Sequence, residues 1–206
     1  MTDLRHCLVR AAALCCVSGS GFALSPGDVV DDFRLNDQNG LSHELYYLSD
    51  MKAVVLLAAG NGCAASRAAA KALDALRTRY QALGVEILAI DSNLKDTPES
   101  IAKEVKADGT SLPVLADELQ LIGESLGFQR NGEVLIVNPQ NWKVIYRGAA
   151  EKGANHYVAA ALDATLTVVE ALPTVNFTSM FAIWSICSRN DAVEVVVNPV
   201  ADAAIV

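Results

Sequence analysis

The stretch Lys52–Ser66, reading KAVVLLAAGNGCAAS, constrains this chain more than any other. Ala53–Ala58 carries no polar side chain, so as a strand it must be covered on both faces. Gly60, Asn61 and Gly62 break the apolar run. From Cys63 to about Tyr80 the strong helix formers Ala, Leu, Arg and Lys dominate. The pattern predicts strand, tight turn and helix, with Cys63 at the junction. There its sulfur lies near unpaired backbone N–H groups and the positive end of the helix dipole, which favours the thiolate.

The other segments fit around this unit. Ser25-Pro26-Gly27-Asp28 is a turn signal, and Val29–Asn36 a short strand. Asp37-Gln38-Asn39-Gly40 supplies an Asn-Gly turn, from which Leu41–Leu45 returns as a hairpin arm. Leu83-Gly84 closes the Cys63 helix, and Val85–Ile90 is a second buried strand. At its end Asp91 and Asn93 form an Asx turn or contact a ligand, the turn being the commoner outcome. Thr97 caps a helix that starts with Pro98 and runs to about Ala107. Leu112–Leu115 is a short strand, and Asp117 caps a helix over Glu118–Leu126. Glu133–Val137 and Lys143–Arg147 form an antiparallel hairpin, with Gly148 ending the second strand. Asn155–Glu170 is the last helix. Strand–helix alternation followed by a hairpin demands a mixed sheet with helices on both faces.

The N-terminus reads as an export signal over residues 1–23: Arg5 and Arg10, a short apolar core Ala11–Val17, and small residues ending in Gly21 and Ala23. A periplasmic or secreted location is therefore expected. Leu14 is a poor residue before a lipid-modified cysteine at Cys15 or Cys16. Removal of residues 1–23 would leave two of the five cysteines, Cys63 and Cys187, too few for a disulfide scaffold. The net charge of −8 disfavours nucleic acid as a partner. No apolar run is long enough for a membrane helix.

The ordered blocks Gly27-Asp28, Asp32-Phe33-Arg34-Leu35 and Asp37…Gly40 resemble the opening G-x-x-x-P-D-F-x-L-x-D-x-x-G of a known family. They are followed by the strand before Cys63, Ile90-Asp91-Ser92-Asn93, Leu112–Asp117, Leu126-Gly127-Phe128, Val134–Val137 and Val144–Gly148. Together they resemble the thioredoxin fold, in particular the redoxin branch near the alkyl hydroperoxide reductase and thiol-specific antioxidant family. The closing Tyr-Arg-Gly is similar to small exported thioredoxin-like redoxins. The resemblance covers about residues 26–170. It implies an α/β fold, a three-layer α/β/α sandwich with a central mixed sheet, an N-terminal hairpin and a C-terminal extension over 173–206.

The departures fall on the chemistry. The first thioredoxin cysteine is Cys63, but the second is Ser66, and the customary proline after the first is Ala64. The aromatic residues that usually precede it are Gly60, Asn61 and Gly62. The family's cis-proline falls on Gly132, and the hydroxyl that a peroxiredoxin carries three residues before its cysteine falls on Gly60. A dithiol oxidoreductase needs a second thiol to release its mixed disulfide, and Ser66 cannot serve. Its hydroxyl could donate a hydrogen bond to the Cys63 thiolate. Monothiol chemistry survives: a mixed disulfide with a partner, or a sulfenic acid resolved elsewhere. Arg67 and Arg130 are candidates for stabilising the thiolate, or else surface charge, and Cys187 is the one candidate resolving thiol in the mature chain.

Metal ligation and cofactor binding are not expected. His43, an exposed residue of the hairpin arm, and His156, in a first helical turn, are far apart, and Gly60-Asn61-Gly62 lacks the Lys and Ser/Thr of a phosphate loop. Residues 177–187 are apolar and either pack back on the domain or form an interface. Two functions remain open: a thiol oxidoreductase acting through Cys63 on a protein disulfide or small oxidant, and a non-catalytic binding or assembly subunit of a periplasmic redox complex. A peroxidase is the weaker third.

Overall fold

The computed structural model describes residues 23–151, 153 and 156–171. The chain divides after Leu166 into two units, and of the second, Thr167–Val206, the described part is the helical stretch to Ala171. The expected export segment, apart from Ala23, and the tail with Cys187 lie outside the described residues.

The centre is the strand β3, Ala53–Ala59, which follows a small antiparallel pair formed by β1 (Arg34–Asn36) and β2 (Ser42–Glu44). Val54–Leu57 are fully inaccessible. Such a strand needs a neighbour on each edge, and β3 has them: β4 (Val85–Asp91) parallel on one side and β6 (Glu133–Asn138) antiparallel on the other. The sheet is completed by β5 (Val114–Ala116) beyond β4 and β7 (Lys143–Ala149) beyond β6, giving the order β5-β4-β3-β6-β7. The sheet is mixed, as the alternation followed by a hairpin requires.

Period-two alternation sends each buried strand into two cores. Val55 and Leu57 of β3, Ile87 and Ala89 of β4, and Val134 and Ile136 of β6 pack beneath three helices. These are α1 (Ala64–Gln81), α2 (Pro98–Asp108) and, after the short α3 (Leu121–Ser125), α4 (Tyr157–Ala171). Helix α1 buries Ser66, Ala69, Leu73 and Tyr80, the three- and four-residue spacing of one helical face. Leu56, Leu88, Leu135 and Val137 face the opposite core with Val30, Phe33, Leu45 and Leu126 from the N-terminal segment and the α3 region. No helix among the described residues is long and apolar enough to cross a membrane.

Local differences from the sequence reading have local causes. Leu45–Leu48 forms one 3-10 turn that puts Leu45 in the core. Helix α3 starts at Leu121, because Gln120 before it adopts a left-handed backbone (φ 59°). Asp117 still acts as a cap at a distance, its Oδ2 accepting from the N–H groups of Ile122 and Gly123. Strand β7 runs through Gly148 to Ala149. His43 is not an exposed hairpin residue: its side chain is 26% exposed and its Nε2 lies 3.1 Å from Asp37 Oδ2. Buried Asp37 also accepts from the N–H groups of Asn39 and Leu41, and these bonds hold its carboxyl below the usual range against the cost of burial.

Arg147 fastens the far half of the sheet. Its side chain is 11% exposed and forms a two-point ion pair with Glu133, Nε–Oε1 2.9 Å and Nη2–Oε2 3.0 Å. The same guanidinium donates to the carbonyls of Leu24, Leu126 and Gly127. One side chain thus joins the N-terminal segment, the end of α3 and β6. Arg147→Met keeps the aliphatic bulk but strands Glu133, and should destabilise the fold by about 3–5 kcal/mol in denaturant titration. A loss under about 1 kcal/mol would mean that the network is not worth its burial.

Candidate functional site

The turn between β3 and α1 is built so that its backbone N–H groups are engaged one by one. Gly60 N–H donates to Ser66 Oγ at 3.2 Å. Asn61 N–H donates to Asp96 Oδ2 at 3.1 Å, and its side-chain amide to Ser100 Oγ at 3.0 Å. Gly62 N–H meets both carboxylate oxygens of Glu104, at 2.7 and 2.9 Å. Cys63 N–H closes the turn on Gly60 O at 3.4 Å. Gly62 has φ +71°, the left-handed backbone that glycine adopts without strain. Ser100, Asp96 and Glu104 belong to α2 or its entry, so α2 fixes the turn.

Cys63 is the N-cap residue of α1, with extended backbone (φ −86°, ψ 117°) and no side-chain capping bond. It is partly exposed. Its carbonyl accepts the first helical bond, from Arg67 N–H at 3.0 Å. The N–H groups of Ala64, Ala65 and Ser66 have no partner among the described residues, so donors remain for an anion at this end of the helix.

The four residues singled out by sequence take different positions. Ser66 is buried and its hydroxyl accepts from Gly60, so it shapes the turn. Arg67 pairs with Asp108 at 2.8 Å and Glu104 at 3.4 Å, and the Asp108 hydrogen bond is the main reason its guanidinium is held still more firmly protonated. Arg67 therefore braces α1 against α2. Arg130 lies across the turn, exposed and without an ion pair among the described residues. No hydrogen bond to Cys63 Sγ is present among the described residues.

The second wall of the site is the loop Gln129–Gly132. Gly132 has φ +87°, and its N–H donates to Ala58 O at 2.7 Å. A Cβ there would stand 3.0 Å from Ala65 O and 3.2 Å from Ala65 C, so only a glycine lets the loop lie on the first turn of α1. Asn131 places its amide against Gly60. Two clefts flank this contact. A larger one of about 540 Å³ runs between Ala65 and Ala69 of α1 and Gly132, Gly148 and Ala150. A smaller one of about 230 Å³ opens on the other side over Ile90 and Phe128. Arg130 and Asn131 line both.

Sequence reasoning gave Asp91 an Asx turn or a ligand contact; the turn forms, but the burial of its carboxyl in this region was not foreseen. Asp91 is 3% exposed, faces a space of about 40 Å³ shared with Ser66 and Glu104, and accepts the Asx-turn bond from Asn93 N–H at 3.0 Å. Burial pushes its carboxyl up to about 6, and the charges of Asp96 and Glu104 act in the same direction against the Asn93 bond. Three carboxylates near the turn could suggest a metal, but among the described residues no group of acids, histidines and cysteine is arranged to hold one. His156, expected in a first helical turn, stands just before α4, exposed, and pairs with Glu151 at 3.1 Å, far in sequence from His43.

The family model described as the AhpC/TSA family matches residues 26–152, and the chain belongs to that family. Among curated proteins nothing matches. Similar solved structures include a hypothetical protein from Sinorhizobium meliloti 1021 (24% identity, 71% of this chain and 86% of that one, TM-score 0.63). A peroxidoxin, BcpB from Mycobacterium tuberculosis, is 21% identical over 71% of this chain and 98% of its own, TM-score 0.59. A thiol:disulfide interchange protein from Bacteroides sp. is 16% identical over 76% and 98%, TM-score 0.58. The likeness is one of thioredoxin-like fold, which in this chain is a central mixed five-stranded sheet between layers, with an N-terminal hairpin and a C-terminal helix.

Two measurements probe this geometry. Gly62→Ala and Gly132→Ala both place a side chain at positive φ, a cost of about 1–2 kcal/mol each. Gly62 has open space while Gly132 meets Ala65, so Gly132→Ala should lose clearly more stability. Asp91 binds its proton more tightly when folded, so its contribution is full below about pH 4 and fades as pH rises through about 6. Relative to wild type, Asp91→Asn should therefore gain stability between pH 4 and pH 6, and a constant difference across that window would refute the assignment.

Proposed function

We propose that this AhpC/TSA family member is an exported monothiol exchanger in which Cys63 alone reacts with the disulfide of a protein laid along the larger cleft. The observation that carries the reading is the placement of Cys63. It is partly exposed at the N-terminal end of α1, between a turn fixed by α2 and the Gly132 loop, and the 540 Å³ cleft opens beside the same first turn. The N-terminal charge and small-residue pattern supports export.

The step is a thiol–disulfide exchange. The Cys63 thiolate attacks one sulfur of R–S–S–R′, forming Cys63–S–S–R and releasing R′–S⁻, which takes a proton from solvent. A thiol from outside the chain then attacks the mixed disulfide and returns Cys63 as thiolate. Ser66 offers no thiol, and its hydroxyl, engaged by Gly60, holds the turn in shape. Arg67 acts through Glu104, which grips Gly62, and is a positioning residue. Arg130 is placed to touch a bound partner. Peroxide reduction is less well supported, because position 60 carries no hydroxyl and its N–H already serves Ser66.

One observation favours the non-catalytic alternative. The carboxylates of Asp96 and Glu104 occupy turn N–H groups next to Cys63 and add negative charge there. A binding subunit would tolerate this arrangement, whereas an anionic sulfur gains less from it.

The deciding test is disulfide exchange on the folded chain, followed on the peptide 53–67 that trypsin releases with Cys63 as its sole cysteine. A peptide disulfide should load Cys63 under native conditions, with no loading of that peptide in Cys63→Ser. Loading that requires denaturant would abandon exchange in favour of the binding subunit.

A further inference from the structure

Monothiol exchange needs a second thiol, and none stands beside Cys63 among the described residues. The smaller cleft has the chemistry to bring one. We propose that it binds the amino-acid end of a low-molecular-weight thiol, its carboxylate on Arg130 and its ammonium on Glu124, and that this thiol resolves the Cys63 mixed disulfide. The inference rests on the exchange reading of Cys63.

Three features of the cleft support it. First, its charges are of both signs and uncommitted: Arg130 and Glu124 both line it, and neither has an ion pair among the described residues. A zwitterion matches such a pair, where a simple anion or cation would match half of it. Second, neutral hydrogen-bonding groups stand between them. Gln120 donates through Nε2 to Ser92 O at 2.6 Å and keeps Oε1 without a partner, and the Asn131 amide has none, among the described residues. Ile90 and Phe128 supply an apolar floor. Third, the volume of about 230 Å³ is roughly eight waters at about 30 Å³ each, enough for the amino-acid end of such a molecule.

The cleft also lies next to the reacting residue. Ala59, which lines it, precedes Gly60; Asn131, which lines it too, lies against Gly60; and Gly60 O is 3.4 Å from Cys63 N. A thiol carried several bonds beyond a bound amino-acid head, as in a γ-glutamyl peptide, is thus brought toward the turn that carries Cys63. The balance closes in three exchanges. Cys63–S⁻ and R–S–S–R′ give Cys63–S–S–R and R′–S⁻. The small thiolate R″–S⁻ then displaces R–S⁻, leaving Cys63–S–S–R″. A second R″–S⁻ releases Cys63–S⁻ and R″–S–S–R″. One substrate disulfide is reduced to two thiols while two small thiols are oxidised to one disulfide.

The test uses the full chain with Cys7→Ser, Cys15→Ser, Cys16→Ser and Cys187→Ser, loaded at Cys63 with a nitrothiobenzoate whose release is coloured. Clearance by glutathione, which carries a zwitterion, is compared with clearance by 2-mercaptoethanol, which does not. The glutathione rate should saturate, and the ratio of the two rates should fall about tenfold in Arg130→Gln and in Glu124→Gln. A linear glutathione rate, with a ratio unchanged in both variants, overturns the proposal while leaving exchange at Cys63 intact. If Cys63 does not load in the folded chain, the exchange reading fails, and the resolving role with it. Binding is then judged alone, by titrating S-methylglutathione and following the amide resonances of Asn93, Gln120 and Asn131. Shifts lost in Arg130→Gln support the zwitterion site, and no shift at these residues overturns it. Glutamate binding as tightly as S-methylglutathione would assign the cleft to free amino acids and overturn its thiol role.

Discussion

A strand with no polar side chain and no exposed face can exist in water only if both edges and both sides are supplied by the rest of the chain. β3 is that strand. Its backbone is satisfied by β4 and β6, and its alternating side chains enter two cores covered by different elements. Everything else is placed by this demand. The helices α1, α2 and α4 must cover one face, and the N-terminal segment with the α3 region must cover the other. Because β3 ends at Ala59 in register with Asp91, the turn to α1 and the Asx turn after β4 emerge side by side. The candidate site is therefore where the buried strand first becomes free to turn.

The turn itself illustrates why burial of backbone dictates charge. Gly60, Asn61 and Gly62 have N–H groups that leave the sheet before the helix can use them. Ser66, Asp96 and Glu104 accept them instead. Two of these acceptors are carboxylates, which bind N–H groups more strongly than neutral oxygens do. Their presence has a further consequence: it adds to the burial that raises the Asp91 carboxyl, and Arg67 balances Glu104 and Asp108. Rigidity of the turn and the local field on the cysteine thus have the same origin.

Much of this was legible in the sequence because the signals are local. The apolar run, the glycines, the helix formers after Cys63, the Thr97 cap and the Asx turn at Asp91 all act over a few residues, and each element formed within a residue or two of its expected place. What was not legible acts across long separations. Glu104 grips Gly62 from 42 positions away, and Arg147 reaches Leu24 from 123. No periodicity or spacing encodes such a contact. His43 was misplaced for a more local reason: Asp37, six positions back across the hairpin, holds its ring, whereas the strand pattern alone places it outward. The larger cleft was invisible because it is lined mainly by alanines and glycines, whose meaning is the space they leave, and the smaller because its lining comes from segments far apart in sequence.

Gly132 shows how a departure from the family pattern can keep its geometry by other means. A proline at this place would hold the loop through its ring but has no N–H to give. Gly132 holds the loop through that N–H, bonded to Ala58 O, and through a backbone without Cβ that can rest on Ala65. The anchor is thereby moved onto β3 itself, the least exposed part of the fold. The loop then owes its position to the sheet, while Arg130 and Asn131, two and one residues before the anchor, stay exposed. A fixed backbone carrying exposed polar side chains between two clefts is what a recognition element needs. By this argument the loop, more than the eroded Cys-x-x-Ser sequence, retains the means to choose what approaches Cys63.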